Sequence, residues 1–275
     1  MAAIPQIPLN DGATIPQFGF GVFQIPPEDT ADAVRTALRI GYRHIDTAQM
    51  YGNEQGVGEG IRRAGVARED VFVTTKLSND RHGHDSAIQA LDESLRRLDT
   101  DYVDLYLIHW PQAKLNKYVE TWKAFEKLAA DGRARSIGVS NFQREHLETL
   151  AAETDTVPAV NQIELHPAVQ QVDLRTYHRA HGIATEAWSP LAQGKVLGDP
   201  AIVDMAAKYG RTPAQVVLRW HIQSGNIVFP KSSTESRMRE NVDIFDFELS
   251  VDDMAAISGL DRGMRIGPHP DSIPK

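Results

Sequence analysis

The fold class this sequence predicts is a (β/α)8 barrel, and two observations carry the expectation. First, eight short apolar runs, at 19–23, 43–47, 71–75, 103–108, 136–140, 160–165, 183–188 and 227–231, alternate with amphipathic stretches. Second, Gly41, Gly65, Gly132, Gly182, Gly210 and Gly225 each stand where a helical pattern ends, as a glycine just past a helix should. Strands alternating with helices make a parallel sheet. Eight of them close most simply into a barrel, with an open doubly wound sheet as the structural alternative.

Taken in order, the chain opens on a hairpin. Ile7 and Leu9 alternate, Asp11-Gly12 supplies a tight turn, and Thr14 to Gln17 return. Ile88, Leu91, Leu95 and Leu98 recur at helical spacing, as do Val119, Trp122 and Leu128 with Phe125 nearby. Val216, Leu218 and Trp220 mark a further buried stretch. Helices around 199–210 and 251–260 exceed the eightfold count. No repeat, linker or composition break interrupts residues 1–275, so the expectation is one barrel domain with an N-terminal hairpin and two extra helices.

Composition excludes several classes. A net charge of −8 with no basic stripe argues against nucleic-acid or anionic-membrane partners. The absence of cysteine removes disulfides, thiolate metal sites and a cysteine nucleophile. It is compatible with any compartment, with the cytoplasm as the default. No apolar run reaches the ~18 residues of a membrane span, and Met1 to Gln6 does not read as a signal peptide. Neither G-x-S-x-G nor H-E-x-x-H occurs, which disfavours serine hydrolase and zincin chemistry. The segment GVGEG at 56–60 imitates a dinucleotide fingerprint without its full register, and reads as small residues where a helix packs closely. RHGH at 81–84 offers two imidazoles without a third ligand, so no metal site is expected.

In parallel barrels the working face lies at the C-terminal ends of the strands. Asp46 and Tyr51 fall at and after the second run, Lys76 ends the third and His109 the fourth. Singly, each has a bland reading: a solvated lysine, a capping carboxylate, a loop aromatic, a core histidine. Together they make a proton-donating device for a carbonyl. An ammonium beside a phenol of ordinary pKa near 10 favours the phenolate and lowers that pKa. A carboxylate keeps the lysine charged, and an imidazole orients the carbonyl oxygen. None of the four supplies a hydride, so a nicotinamide cofactor is implied. The segment KSSTESR at 231–237 puts two cations and several hydroxyls at a strand end feeding a helix N-terminus, a phosphate-binding pattern. It favours NADPH over NADH, because a 2′-hydroxyl would leave the cations unpaired. Asn161 and Gln162 put amides in an otherwise apolar strand, and buried amides need partners, from a neighbouring strand or from the nicotinamide.

These segments occur in a recognisable order: GYRHIDTA from Gly41, YGNE from Tyr51, TK at Thr75-Lys76, HWP from His109, IGVSNF from Ile137, NQIELHP from Asn161 and FPKS from Phe229. Short alone, they are specific as an ordered set across about seven-tenths of the chain. The sequence resembles the aldo-keto reductase superfamily. NDG from Asn10, GVG from Gly56, NDRH from Asn79, PAVNQIELHP from Pro158 and TPAQ from Thr212 make it most similar to bacterial 2,5-diketo-D-gluconic acid reductases.

The resemblance implies NADPH-dependent reduction of aldehydes and ketones, dicarbonyls and keto-sugar acids among them, by a monomeric enzyme. Tyr51 would be the general acid, Lys76 and Asp46 its pKa-lowering pair, and His109 the orienting group. Ser140, Asn141 and Gln162 would hold the nicotinamide carboxamide, with Trp188 stacked on the ring. Ser189, Pro190, Leu191, Gln193 and Gly194 would line the pyrophosphate path. Lys231, Ser232, Ser233 and Arg237 would grip the 2′-phosphate, with Glu240 and Asn241 near the adenine. Glu164 and His166 read as structural. Two other classes compete with this one: a nucleotide-sensing protein on the same barrel, opposed by the intact four residues, and a barrel isomerase or lyase, which needs a different acid–base pair and no 2′-phosphate clamp.

The sequence departs from the family pattern at Ser78, where many relatives carry an aromatic, and in short segments after His109, Ser189 and Gly263. A small, open pocket lined by Val22, Phe23, Met50, Ser78 and Trp110 is expected, with Val22 also reaching the cofactor. Broad specificity with modest affinity follows. A panel of aldehydes and ketones is expected to give comparable efficiencies, and one substrate preferred by many orders of magnitude would contradict it.

Overall fold

In the computed structural model, which describes residues 3–273, the hairpin pairs β1 (Gln6–Pro8) with β2 (Thr14–Pro16) in antiparallel register. The turn expected at Asp11-Gly12 is stitched by Asp11 Oδ1, which accepts from Ala13 N at 3.0 Å. Eight strands follow: β3 (Phe20–Gly21), β4 (His44–Asp46), β5 (Phe72–Leu77), β6 (Val103–Ile108), β7 (Ala134–Ser140), β8 (Val160–Glu164), β9 (Ala184–Trp188) and β10 (Ile227–Val228). Neighbours pair parallel in chain order. A parallel bridge between Phe18 and Val228 joins the first edge to the last, with Gly19 N donating to Val228 O at 2.7 Å. The sheet therefore closes on itself, as the alternation of elements predicts, and the doubly wound alternative falls.

The helices are α1 (Pro27–Ile40), α2 (Glu54–Ala64), α3 (His84–Leu98), α4 (Tyr118–Ala130), α5 (Arg144–Glu153), α6 (Val172–Ala180), α7 (Pro200–Tyr209), α8 (Pro213–Gln223), α9 (Glu235–Val242) and α10 (Val251–Ser258). α7 and α10 are the two expected extras. α8 is buried on nearly every side, Gln215 to Ile222 inclusive. Its start carries a capping box in which Thr212 Oγ1 accepts from Gln215 N and Thr212 N donates to Gln215 Oε1. The Gln215 amide then reaches Glu240 O and Asp243 O at the end of α9. The segment GVGEG is a packing device, as expected: a Cβ on Gly58 would lie 2.2 Å from the Leu98 carbonyl oxygen, so only glycine lets α2 approach the end of α3.

The barrel is asymmetric along its axis. At the N-terminal end Leu9 and Ile15 of the hairpin region cluster with Leu105, Leu107, Val160 and Ile227, an apolar plug. At the other end the interior is polar. Among the described residues the nine non-glycine positions with positive φ are unevenly placed: all but Asp99 lie in loops that follow strands and precede helices. Backbone strain concentrated on one face marks it as the working face. Among the described residues no helix is long and apolar enough to cross a membrane.

Four buried imidazoles are held neutral by desolvation: His44, His178 and His221 fall to about 3 and His82 to about 4. The unfolded chain protonates each below about pH 6.5, whereas the native chain does not, so this stabilisation is complete above that pH and is lost as pH falls. Glu186, raised to about 8 by burial, and Asp46, also pushed up by burial, work in the opposite sense, two groups against four. Thermal melts followed by circular dichroism are expected to give the highest Tm near neutrality and a steady fall below about pH 6, at roughly 1.4 kcal/mol per extra proton per pH unit. A Tm unchanged down to about pH 4.5 would contradict this.

Candidate active site

Side chains alternate along a strand, so every second residue faces the barrel axis. At the C-terminal end this brings together His44 and Asp46 from β4, Thr74 and Lys76 from β5, Gln162 from β8 and Glu186 from β9. Tyr51 arrives on a short 3-10 turn (Gln49–Tyr51) after β4, and His109 follows β6. All four residues singled out in the sequence converge.

Lys76 is the centre of the chamber. Its side chain is fully buried, and its ammonium donates to Asp46 Oδ1 at 2.6 Å, Thr47 O at 2.9 Å and Tyr51 Oη at 3.4 Å. An ammonium has three protons, and each has a partner. Burial opposes the charge, but Asp46 and then Tyr51 outweigh it and raise the Lys76 pKa. Burial also pushes the Asp46 carboxyl up, against the pull of Lys76 and Gln162. Burial drives His109 well below the usual imidazole value, with Lys76 adding to the effect, so the ring is neutral. Its edge faces Tyr51, with ring centroids 5.8 Å apart.

Tyr51 corrects one expectation. Lys76 does pull its pKa down, but burial pushes it up by more and Asp46 adds to the rise, so the phenol titrates above its ordinary value. The physical reason is that the sequence reveals the neighbouring charge but not the depth of the pocket. A phenol that keeps its proton through neutrality is the form a proton donor needs.

The residues expected around a nicotinamide also gather. Ser140 Oγ donates to Gln162 O at 2.8 Å. Asn141, at φ 63°, donates to His109 O and Ser140 Oγ and accepts from Trp188 Nε1 at 2.8 Å. Ser189, Pro190, Leu191, Gln193 and Gly194 form the loop after β9, with positive φ at Ser189, Gln193 and Gly194. The Pro190 carbonyl lies 3.1 Å from His221 Nε2. At the end of β10, Lys231, Ser233 and Arg237 are exposed while Ser232 is buried. Neither cation forms an ion pair among the described residues, and the α9 cap residue Thr234 makes no side-chain bond to the helix. One expected contact differs. Val22 is fully buried, with its N–H on Asp46 O and its carbonyl on Asn53, and offers no surface to the pocket. Glu240 is engaged by Thr212 Oγ1 at 2.8 Å, and Asn241 is buried. At the mouth, Phe23 and Met50 are half exposed, Trp110 lies 6.4 Å from Trp188 between ring centroids, and Ser78 donates to Asp80.

Residues 17–262 match the family model described as Aldo/keto reductase family. The chain belongs to that family. It is 58% identical over 266 residues to an aldo-keto reductase of Mycolicibacterium smegmatis, covering 97% of each chain. It is 50% identical over 275 residues to the methylglyoxal reductase DkgA of Escherichia coli, covering 99% of each. The crystal structure of a Gox0644 mutant in complex with NADPH superposes with a TM-score of 0.96 at 49% identity, covering 99% of this chain and 100% of that one.

Two features of this aldo/keto reductase escaped the sequence reading. Glu186 is a buried acid on β9; its signal was a single carboxylate inside an otherwise strand-like run. Glu164, expected to be structural, anchors the C-terminal segment: its carboxylate accepts from Ile266 N at 2.5 Å and Gly267 N at 3.2 Å, with His166 Nε2 3.1 Å away. Nothing local in the sequence announces a contact spanning a hundred residues. Among the described residues one cluster outside this set, Glu145, His146 and Asp271, has its ligand atoms within 4.8 Å of one another, but two of the three are exposed carboxylates.

Gly267 seats the tail on Trp188, because a Cβ there would lie 2.5 Å from Cη2 of the indole. Gly267→Ala is expected to displace Trp188 from Asn141 and to cost about 1–3 kcal/mol of stability. With four tryptophans in the chain, the indole N–H resonance of Trp188 can be followed directly. An unmoved resonance with unchanged stability would contradict the seating.

Proposed function

We propose that this aldo/keto reductase uses NADPH to reduce aldehydes and ketones to alcohols, with small dicarbonyls such as methylglyoxal and keto-sugar acids such as 2,5-diketo-D-gluconate as its substrate class. The observation that carries the reading is the Lys76 ammonium, fully bonded and buried, with its third proton on the Tyr51 hydroxyl. The methylglyoxal reductase among the relatives and the NADPH-bound neighbour support the substrate and cofactor classes.

In this reading NADPH, when bound, supplies the hydride. Tyr51 gives its proton to the carbonyl oxygen as negative charge develops there. Lys76 stabilises the phenolate left behind, and Asp46 keeps the ammonium charged and in place. The neutral His109 ring donates a hydrogen bond that orients the carbonyl. Ser140, Asn141 and Gln162 hold the carboxamide, and Trp188 covers the ring. Ser189 to Gly194 follow the pyrophosphate. Lys231, Ser232, Ser233 and Arg237 take the 2′-phosphate, which fits two exposed cations lacking an ion-pair partner beside a helix N-terminus. The adenine lies near Glu240 and Asn241. Phe23, Met50, Ser78 and Trp110 border an open substrate mouth. Every group assigned to the chemistry comes from one barrel, which supports residues 1–275 acting as one domain and as a monomer; the cytoplasm is the location proposed with this reading.

The test is NADPH oxidation with methylglyoxal and with a keto-sugar acid. Tyr51→Phe is expected to lower turnover at least ~10²-fold while keeping NADPH affinity, and Lys76→Met to fail similarly. Near-normal turnover in Tyr51→Phe would refute the assigned acid. A wild type that binds NADPH but reduces nothing on a broad carbonyl panel would favour the nucleotide-sensing reading.

A further inference from the structure

One buried acid beside Gln162 that the proposed mechanism leaves unused is Glu186. It is wholly buried on β9, directly across the sheet from Gln162. Gln162 Nε2 lies 2.9 Å from Asp46 Oδ2 and 2.8 Å from Glu186 Oε2. The two ends of a side-chain amide have the same shape, so neighbours decide which is which. Here they decide it chemically. Asp46, paired with Lys76, can only accept. An amide oxygen at this position would face it with no proton between them, whereas a nitrogen has one N–H for each carboxyl group.

The consequence lies at the other end of the amide. Of the three side chains assigned to the carboxamide, Asn141 spends its nitrogen on His109 O and Ser140 Oγ and its oxygen on Trp188. Ser140 both donates and accepts within the protein. Gln162 Oε1 is the polar atom of the set without a protein partner among the described residues. Resting on the NADPH reading above, we infer that Glu186 is a positioning residue: with Asp46 it holds the Gln162 nitrogen from two sides and thereby presents the Gln162 carbonyl to the amide protons of the nicotinamide carboxamide.

The surroundings fit that task better than charge storage. Burial raises the Glu186 pKa to about 8, with Asp46 adding to the rise against weaker pulls from Gln162 and Lys76, so the carboxyl keeps its proton to far higher pH than a free glutamate. Its other oxygen has no hydrogen-bond partner and lies 3.8 Å from Nε2 of His44, an imidazole kept neutral by burial. A buried carboxyl is costly compared with an apolar side chain of the same size. Removing it would leave one Gln162 N–H unsatisfied and free the amide to turn.

The test compares two nucleotides: NADPH, and 2′-phospho-ADP-ribose, which has no nicotinamide. Glu186→Leu is expected to weaken NADPH binding about tenfold, the worth of one oriented hydrogen bond, and to leave 2′-phospho-ADP-ribose unchanged. Glu186→Gln, which can still accept from Gln162, is expected to stay within about twofold of wild type for both. Unchanged NADPH affinity in Glu186→Leu, equal weakening of both nucleotides, or a Glu186→Gln variant as impaired as Glu186→Leu would overturn the inference. If Glu186→Leu does not fold, the double variant with Gln162→Leu decides, because it leaves no amide to satisfy. It must bind NADPH no more weakly than Gln162→Leu alone, and a further loss overturns the inference. A wild type that binds neither nucleotide removes the cofactor reading itself, an outcome distinct from all of these.

Discussion

A positive charge sealed inside a barrel is tolerable only if every proton on it is bonded, and the chamber is built around meeting that condition at Lys76. The ammonium has no access to water, so a carboxylate, a backbone carbonyl and a phenol take water's place. Removing one partner of such a pair leaves an uncompensated charge, typically about 3–5 kcal/mol of destabilisation. Asp46, paired with Thr74 across the sheet, and Thr47 just beyond β4 must therefore come within reach of Lys76 near the end of β5, which constrains strand register at the working end. The reactive phenol is held by the same ammonium. Stability and reactivity thus share one set of contacts, and a change in the charge of this pair is felt in both.

The rest of the polar interior extends that arrangement. Gln162 carries it from Asp46 to Glu186, and Glu186 approaches His44. Burial depth sets the protonation state of each member: Glu186 is raised and His44 and His109 are lowered, which leaves the Lys76–Asp46 pair as the charged centre. A single ion pair whose ammonium also bonds the phenol, beside otherwise neutral donors and acceptors, is an environment in which developing negative charge on a carbonyl oxygen finds a preorganised partner.

Asymmetry along the barrel axis divides labour. The hairpin closes one end with an apolar plug, where packing is the only demand. The other end accepts strained loops, half-exposed aromatics and a tail bound by Glu164. The tail packs Gly267 against the Trp188 indole while Asn141 holds its nitrogen, so the aromatic side chain is fixed at two points.

The sequence by itself determined what depends on local pattern. Alternating apolar runs and terminal glycines specified strands, helices and their order, and the position of Lys76, Asp46, Tyr51 and His109 at strand ends sufficed to predict their convergence. The role of GVGEG was legible for the same reason, because small residues at helical spacing describe a close packing face. Only the tertiary structure decided matters of depth and long-range pairing. The direction of the Tyr51 shift depends on how much water the pocket excludes, which no neighbouring residue reports. Val22 turned out to be sealed because its backbone is used by β4 and Asn53. The Gln162 bond to Asp46 joins positions 116 residues apart, and Glu164 reaches a tail 102 residues on. Contacts of that kind arise from sheet register and chain closure, and a linear pattern carries no signal for either.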